Sequence, residues 1–242
     1  MAGLGAVGFA VSSVGVSKAV ASEGLLEPKL ILKTPGDGRA TVALTLDACP
    51  GGFDAKLVQA LIDWRVPATF FVTGAWIRSN PLGLATLVAH PDLFAIGNHG
   101  AHHVPAVLGD RHIFGLRVAG DLEAVREEVG RGEDAIIAAT GAKPLWYRGA
   151  TALYSPAVLP EIERMGFAIA GFSLNGDMGA SLPAESVAQR IALAKDGDVI
   201  IAHANQPNRP SGAGVIKGVR ALLDRDVRFA KLDAVTAAVA SL

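Results

Sequence analysis

Residues 42–74, VALTLDACPGGFDAKLVQALIDWRVPATFFVTG, constrain the fold more than any other part of the chain. A β-branched and leucine-rich run, 42–46, ends in Asp47 and passes into the loop Ala48-Cys49-Pro50-Gly51-Gly52-Phe53. From Asp54 onward apolar residues recur at helical spacing, at Leu57, Val58, Leu61, Ile62 and Trp64. Pro67 then breaks the pattern ahead of a second apolar run, 68–72. The pattern predicts strand, helix and strand, and a βαβ unit makes its two strands parallel neighbours. Asp47 then stands at the C-terminal end of a buried strand, where parallel α/β folds place their chemistry.

The alternation continues to the end of the chain. Asn80-Pro81 opens a helix to about His90, and a strand over 93–96 ends at Gly97-Asn98-His99-Gly100-Ala101-His102-His103. A long helical region over about 116–140 is expected to be interrupted at Gly130 and Gly132 and closed by Gly141. Further strands are expected at 145–148, 167–174, 199–202 and about 227–230, and helices at 156–165, 184–194, 215–223 and from Asp233. Strand and helix thus alternate about seven times with no internal repeat. The expected fold is α/β, a distorted parallel (β/α)7-type barrel over 41–242, after a Pro- and Gly-bearing lead-in at 23–40.

Length and charge narrow the function classes. A chain of 242 residues can bury a full core as one domain. With 22 basic against 23 acidic residues and no basic block, it lacks the surface that neutralises phosphates, so a nucleic-acid partner is not expected. Cys49 is the one cysteine, which excludes an intrachain disulfide. Residues 1–22 are small, apolar and free of acids, with Lys18 their one charge, and Ala19-Val20-Ala21 resembles a small-residue cleavage site. This segment reads as the remnant of an export signal, which implies a periplasmic or secreted protein; the other reading is a cytoplasmic tail. It is too rich in small residues for a membrane span.

Asp47, His99, Arg148, Asp177 and His203 all fall at or just past predicted C-terminal strand ends, which in a barrel ring a single pocket. His99 and His103 are four apart, so a helical turn would put both imidazoles on one face, a spacing that suits a divalent ion. His102 is a ligand candidate in a shifted register.

The order of short motifs over about 41–232 resembles the polysaccharide deacetylases, carbohydrate esterase family 4. The family's opening Thr-Phe-Asp-Asp-Gly corresponds to Thr45-Leu46-Asp47-Ala48-Cys49, followed by the family-like Pro67-Ala68-Thr69-Phe70-Phe71-Val72-Thr73-Gly74. Its Asn-His-Ser/Thr motif, with a second histidine four after the first, corresponds to Asn98-His99-Gly100-Ala101-His102-His103. The third motif matches at Arg148 alone, the fourth appears as Asp177-Met178, and the fifth as Ile201-Ala202-His203.

The resemblance implies a metal-dependent hydrolase that removes acetyl or other acyl groups from a carbohydrate by attack of an activated water. Asp47 would be the general base and Arg148 its partner. His203 would be the general acid, oriented by Asp177, with backbone N–H groups near Thr151 facing the oxyanion. His99 and His103 would hold the ion, zinc first, with cobalt and nickel as alternatives. Ala48 departs from the pattern, because the family has its third metal ligand, an aspartate, there. Asp54 is the first replacement candidate, although it also suits a helix N-cap, and Cys49 is the second. Two other functions fit the same residues: hydrolysis of non-peptide C–N bonds in small amides, and glycan binding without catalysis.

Overall fold

The computed structural model describes residues 19–21 and 24–234. Residues 1–22, read above as an export-signal remnant, and most of the helix expected from Asp233 lie outside the described residues, apart from Ala19–Ala21, which pair antiparallel with Leu25–Glu27, and 233–234. Among the described residues no helix is long and apolar enough to cross a membrane.

Seven parallel strands form one curled sheet: β1 (Thr41–Ala48), β2 (Ala68–Val72), β3 (Phe94–Asn98), β4 (Trp146–Tyr147), β5 (Ala168–Ile169), β6 (Leu174–Asn175) and β7 (Val199–His203). Their order is β6-β7-β1-β2-β3-β4-β5, and β8 (Arg228–Phe229) adds to the start of β1 beside Thr41 and Val42. Among the described residues, α-helices α1 (Ala55–Asp63), α2 (Gly74–Ser79), α3 (Pro81–Val88), α4 (Leu122–Thr140), α5 (Leu159–Arg164), α6 (Ala184–Ala192) and α7 (Ser211–Asp224) complete the units.

The period-two alternation of β1 sorts its residues between two cores. Leu44, Leu46 and Ala48 pack outward with Leu57 and Leu61 of α1 and Val215 and Val219 of α7. Ala43 points inward with Phe71, Val199 and Ile201. Thr45 and Asp47 share that inner face, so Asp47 caps the interior at its C-terminal rim. Asp47 lies beside His203 in the β7 pairing and beside Phe71 in the β2 pairing.

Three expectations change. The single strand predicted at 167–174 is two strands, β5 and β6, with no pairing between them among the described residues. The cause is the lead-in: Phe172 N–H donates to Pro28 O at 3.3 Å, and a Cβ on Gly171 would lie 2.2 Å from that same oxygen. The lead-in therefore occupies the seam of the sheet, where Leu32 N–H donates to Gly197 O at 2.8 Å and the Leu32 side chain joins the interior cluster. Second, the long helix starts at Leu122, not near 116, because Asp121 caps it by accepting from Ala124 N–H at 2.8 Å. The preceding residues form a small hairpin, His112–Ile113 against Leu116–Arg117. Third, α4 runs unbroken through Gly130 and Gly132. Gly132 is required by proximity, since a Cβ there would lie 2.4 Å from Asn98 Oδ1.

Candidate active site and metal centre

Arg148 leaves β4 and is wholly buried, a costly place for a charge unless its donors are satisfied. Nη1 donates to Asp47 Oδ1 at 2.8 Å and to Thr45 Oγ1 at 2.9 Å. Nε donates to Ala170 O and Nη2 to Gly171 O, both at 3.1 Å, and the guanidinium lies 4.4 Å over the Phe71 ring. These contacts use one carboxyl oxygen of Asp47 and leave Oδ2 turned toward His99 Nε2, 3.8 Å away. Burial opposes ionisation of Asp47, but the Arg148 charge, with His99 and His203, holds its carboxyl below the ordinary range.

His99 follows β3 directly. Its Nδ1–H donates to the Arg148 carbonyl at 2.6 Å, since a carbonyl can only accept. That bond fixes the ring and leaves Nε2 facing Cys49 Sγ at 3.4 Å. His103 completes a group in which one ligand atom each of Cys49, His99 and His103 lies within 4.8 Å of the others. The His99 and His103 rings meet edge-on with centroids 4.9 Å apart. Their i, i+4 spacing is realised in a bent loop and not in the helical turn expected, with His103 at φ 69° in the left-handed region. Burial pushes the Cys49 thiol up, but His99, His103 and His203 around it outweigh burial and hold it well below the ordinary thiol range. Burial lowers His99, yet Asp47 and Cys49 raise it above the ordinary histidine value.

His203 ends β7 opposite Arg148. Its Nδ1 bonds Asp177 Oδ1 at 2.9 Å, and its backbone N–H donates to Asp177 Oδ2 at 2.8 Å, so one buried carboxylate holds both ring and main chain. Burial lowers the imidazole, but the Asp177 bond and the Cys49 contact carry it well above its ordinary range. After Arg148 the residues Ala150–Ala152 make a short 3-10 turn with Thr151 at φ 68° and Ala152 at φ 54°.

Asp47, Arg148, His99, His103, Asp177 and His203 all reach the same end of the sheet, and Asp54 does not join the cluster. Its Oδ1 accepts from Leu57 N–H at 3.0 Å, capping α1, and its Oδ2 lies against Gly212. The thiol of Cys49 stands beside the two imidazoles instead, while Ala48 faces the helix-side core. Asp54→Asn should therefore leave divalent-ion affinity unchanged in a metal titration, whereas Asp54→Ala should cost about 1 kcal/mol in denaturant unfolding. A loss of ion affinity in Asp54→Asn would return Asp54 to the ligand set. His102 also stays outside, its Nδ1 3.4 Å from Glu128 Oε2. Sequence reasoning missed Thr45 and Glu128. Thr45 carried a signal, a polar residue two before Asp47 on one strand and hence on its face.

A family model described as polysaccharide deacetylase matches residues 35–170. The chain belongs to the polysaccharide deacetylase family. This polysaccharide deacetylase-family chain is 29% identical over 129 residues to peptidoglycan-N-acetylmuramic acid deacetylase PdaA of Bacillus subtilis (strain 168), covering 52% of this chain and 44% of that protein. The solved structure of Bacillus subtilis PdaA, a family 4 carbohydrate esterase, superposes with a TM-score of 0.69 at 19% identity, covering 87% of this chain and 85% of that one. A CE4 family pseudoenzyme from Bacillus anthracis superposes with a TM-score of 0.66 at 17% identity, covering 86% and 69%. At these identities the superpositions establish the shared barrel fold. The chain spans 34% to 57% of the length of three curated relatives it matches.

Proposed function

We propose that this chain is a metal-dependent hydrolase that removes acetyl groups from an N- or O-acetylated carbohydrate, with peptidoglycan and chitooligosaccharides the first substrates to try. The observation that carries this reading is the convergence at one rim of a Cys/His/His cluster, an Arg-held carboxylate and an Asp-held imidazole.

The donor set fits a divalent ion of borderline softness, zinc above all, because one thiol held toward its thiolate form stands with two imidazoles. Cys49, His99 and His103 would hold the ion, and the His99 bond to the Arg148 carbonyl presents Nε2 to it. When bound, the ion supplies Lewis acidity that polarises an acyl carbonyl and acidifies a water. Asp47, with Oδ1 fixed by Arg148, takes the water's proton at Oδ2, the oxygen on the cluster side. His203 gives the proton from Nε2 to the departing amine or alcohol, since Asp177 occupies Nδ1 and keeps the ring charged. An exported location belongs to the same reading and draws its support from the apolar, acid-free residues 1–22.

Acetate release from a panel of acetylated glycans, with and without a chelator, tests the proposal. Chelator-sensitive release is expected, and glycan binding without release from any of them would favour the non-catalytic binder. The pH profile offers a second check. Activity needs Asp47 ionised and His203 protonated; the Asp47 carboxyl lies below its ordinary value of 3.8 and His203 well above 6.5. The alkaline limb of kcat/KM should therefore fall above pH 6.5. Asp177→Asn removes the charge that raises His203, so that limb should move down toward 6.5. By the same sign, the stability from the His203–Asp177 pair is full below pH 6.5 and is lost as pH rises through the folded-state value. An alkaline limb that stays in place in Asp177→Asn would remove His203 from the acid role.

A further inference from the structure

We infer that Glu128, on α4, is the positioning residue that sets His103 for ion binding; the inference rests on the metal reading above. The loop from β3 that carries both histidines forms no helix or strand, and it passes through Gly100 at φ 83° and His103 at φ 69°. A histidine in the left-handed region needs its neighbours fixed from outside. Glu128 does this. Its Oε1 accepts from the N–H of His102 at 2.8 Å and of Val104 at 3.1 Å, the two peptide groups that bracket His103. Oε2 faces His102 Nδ1 at 3.4 Å, and the Glu128 carbonyl accepts from Ala101 N–H at 3.0 Å.

The side chain is only 6% exposed, so these N–H groups stand in place of water as its partners. Room for it comes from the loop: a Cβ on Gly100 would lie 2.4 Å from Glu128 Oε1. Gly100 stands where the family resemblance has serine or threonine, so glycine at 100 and the carboxyl group at 128 form one device. Glu128 bonds none of Cys49, His99 or the His103 ring; it acts through the backbone on either side of His103.

The test compares Glu128→Ala, Glu128→Asp and Glu128→Gln by Co2+ titration, read from the visible spectrum, and by amide hydrogen exchange at His102 and Val104. Loss of a partner that orients a ligand costs about 10–100-fold in ion affinity, and that fall is expected for Ala. It is expected also for Asp, whose carboxyl is drawn back by one methylene and decides the matter should the Ala variant not fold. Glu128→Gln keeps an oxygen able to accept both N–H groups, and it should retain the wild-type spectrum and slow exchange. A folded Ala or Asp variant with wild-type affinity and spectrum overturns the inference. So does an equal loss in Glu128→Gln, which would make charge and not acceptor geometry the operative property. A wild-type chain that takes up no ion counts against the metal reading alone; the clamp then stands if the two amides exchange slowly in wild type and Gln and fast in Ala or Asp, and falls if they do not.

Discussion

Asp47→Asn should lower turnover by about 10²–10⁴-fold, the range general acid–base groups supply. The asparagine oxygen can still accept from Arg148 Nη1, so the side chain keeps its place while losing its basicity. The same change leaves the guanidinium, wholly buried, without its countercharge. Breaking a buried pair from one side costs roughly 3–5 kcal/mol, and the retained hydrogen bond puts the expected loss near the lower end. Acetate release and urea unfolding measure the two effects separately. A variant that keeps half the wild-type turnover would dismiss Asp47 as the base. Unchanged stability would show that the four acceptors around Arg148 suffice without the charge.

Cys49→Ser should weaken zinc or cobalt binding by more than the roughly 10–100-fold that a lost outer partner costs, because in the proposed centre it removes a direct donor. Serine is close to isosteric, and its hydroxyl is not ionised in this pH range, so the fold should hold while the donor set shrinks to two imidazoles. The cobalt-loaded protein gives an independent signature, since a thiolate ligand produces a charge-transfer band that serine cannot. Turnover should fall with affinity and recover in part at high metal concentration. Wild-type cobalt affinity with no charge-transfer band in either protein would mean that Cys49 is a packed thiol beside the ion and not a ligand to it.

The parts of this protein that a reader of the sequence can find are those with short-range signals. The βαβ unit at 42–72 is legible because period, proline and loop residues agree, and it puts Asp47 at a strand end; the continued alternation does the same for Arg148 and His203. What was not legible depends on distant partners. Asp54 and Cys49 stand in the same loop, and only the fold shows that the carboxylate turns to Leu57 N–H while the thiol turns to His99. Gly130 and Gly132 look like breaks in a helix; Gly132 is in fact where α4 touches the Asn98 loop, a contact 34 residues apart in sequence. The splitting of β5 from β6 comes from Pro28, more than a hundred residues earlier, and no local pattern at 167–174 announces it.

The interior beneath Arg148 brings a consequence for how the chain reaches its native state. Leu32 and Leu232 both insert beside Phe71, the ring on which the guanidinium rests, and Leu232 N–H donates to Thr69 Oγ1 across a sequence separation of 163 residues. Contacts of such separation are entropically expensive to close and form late. A nascent chain emerging from the ribosome can build β1, α1 and β2 early, but the base under Arg148 stays open until residue 232 has been synthesised. Until then Phe71 and Ile201 lack Leu232, one of the side chains that close this cluster, and the half-made barrel presents them more openly to chaperones or to other nascent chains.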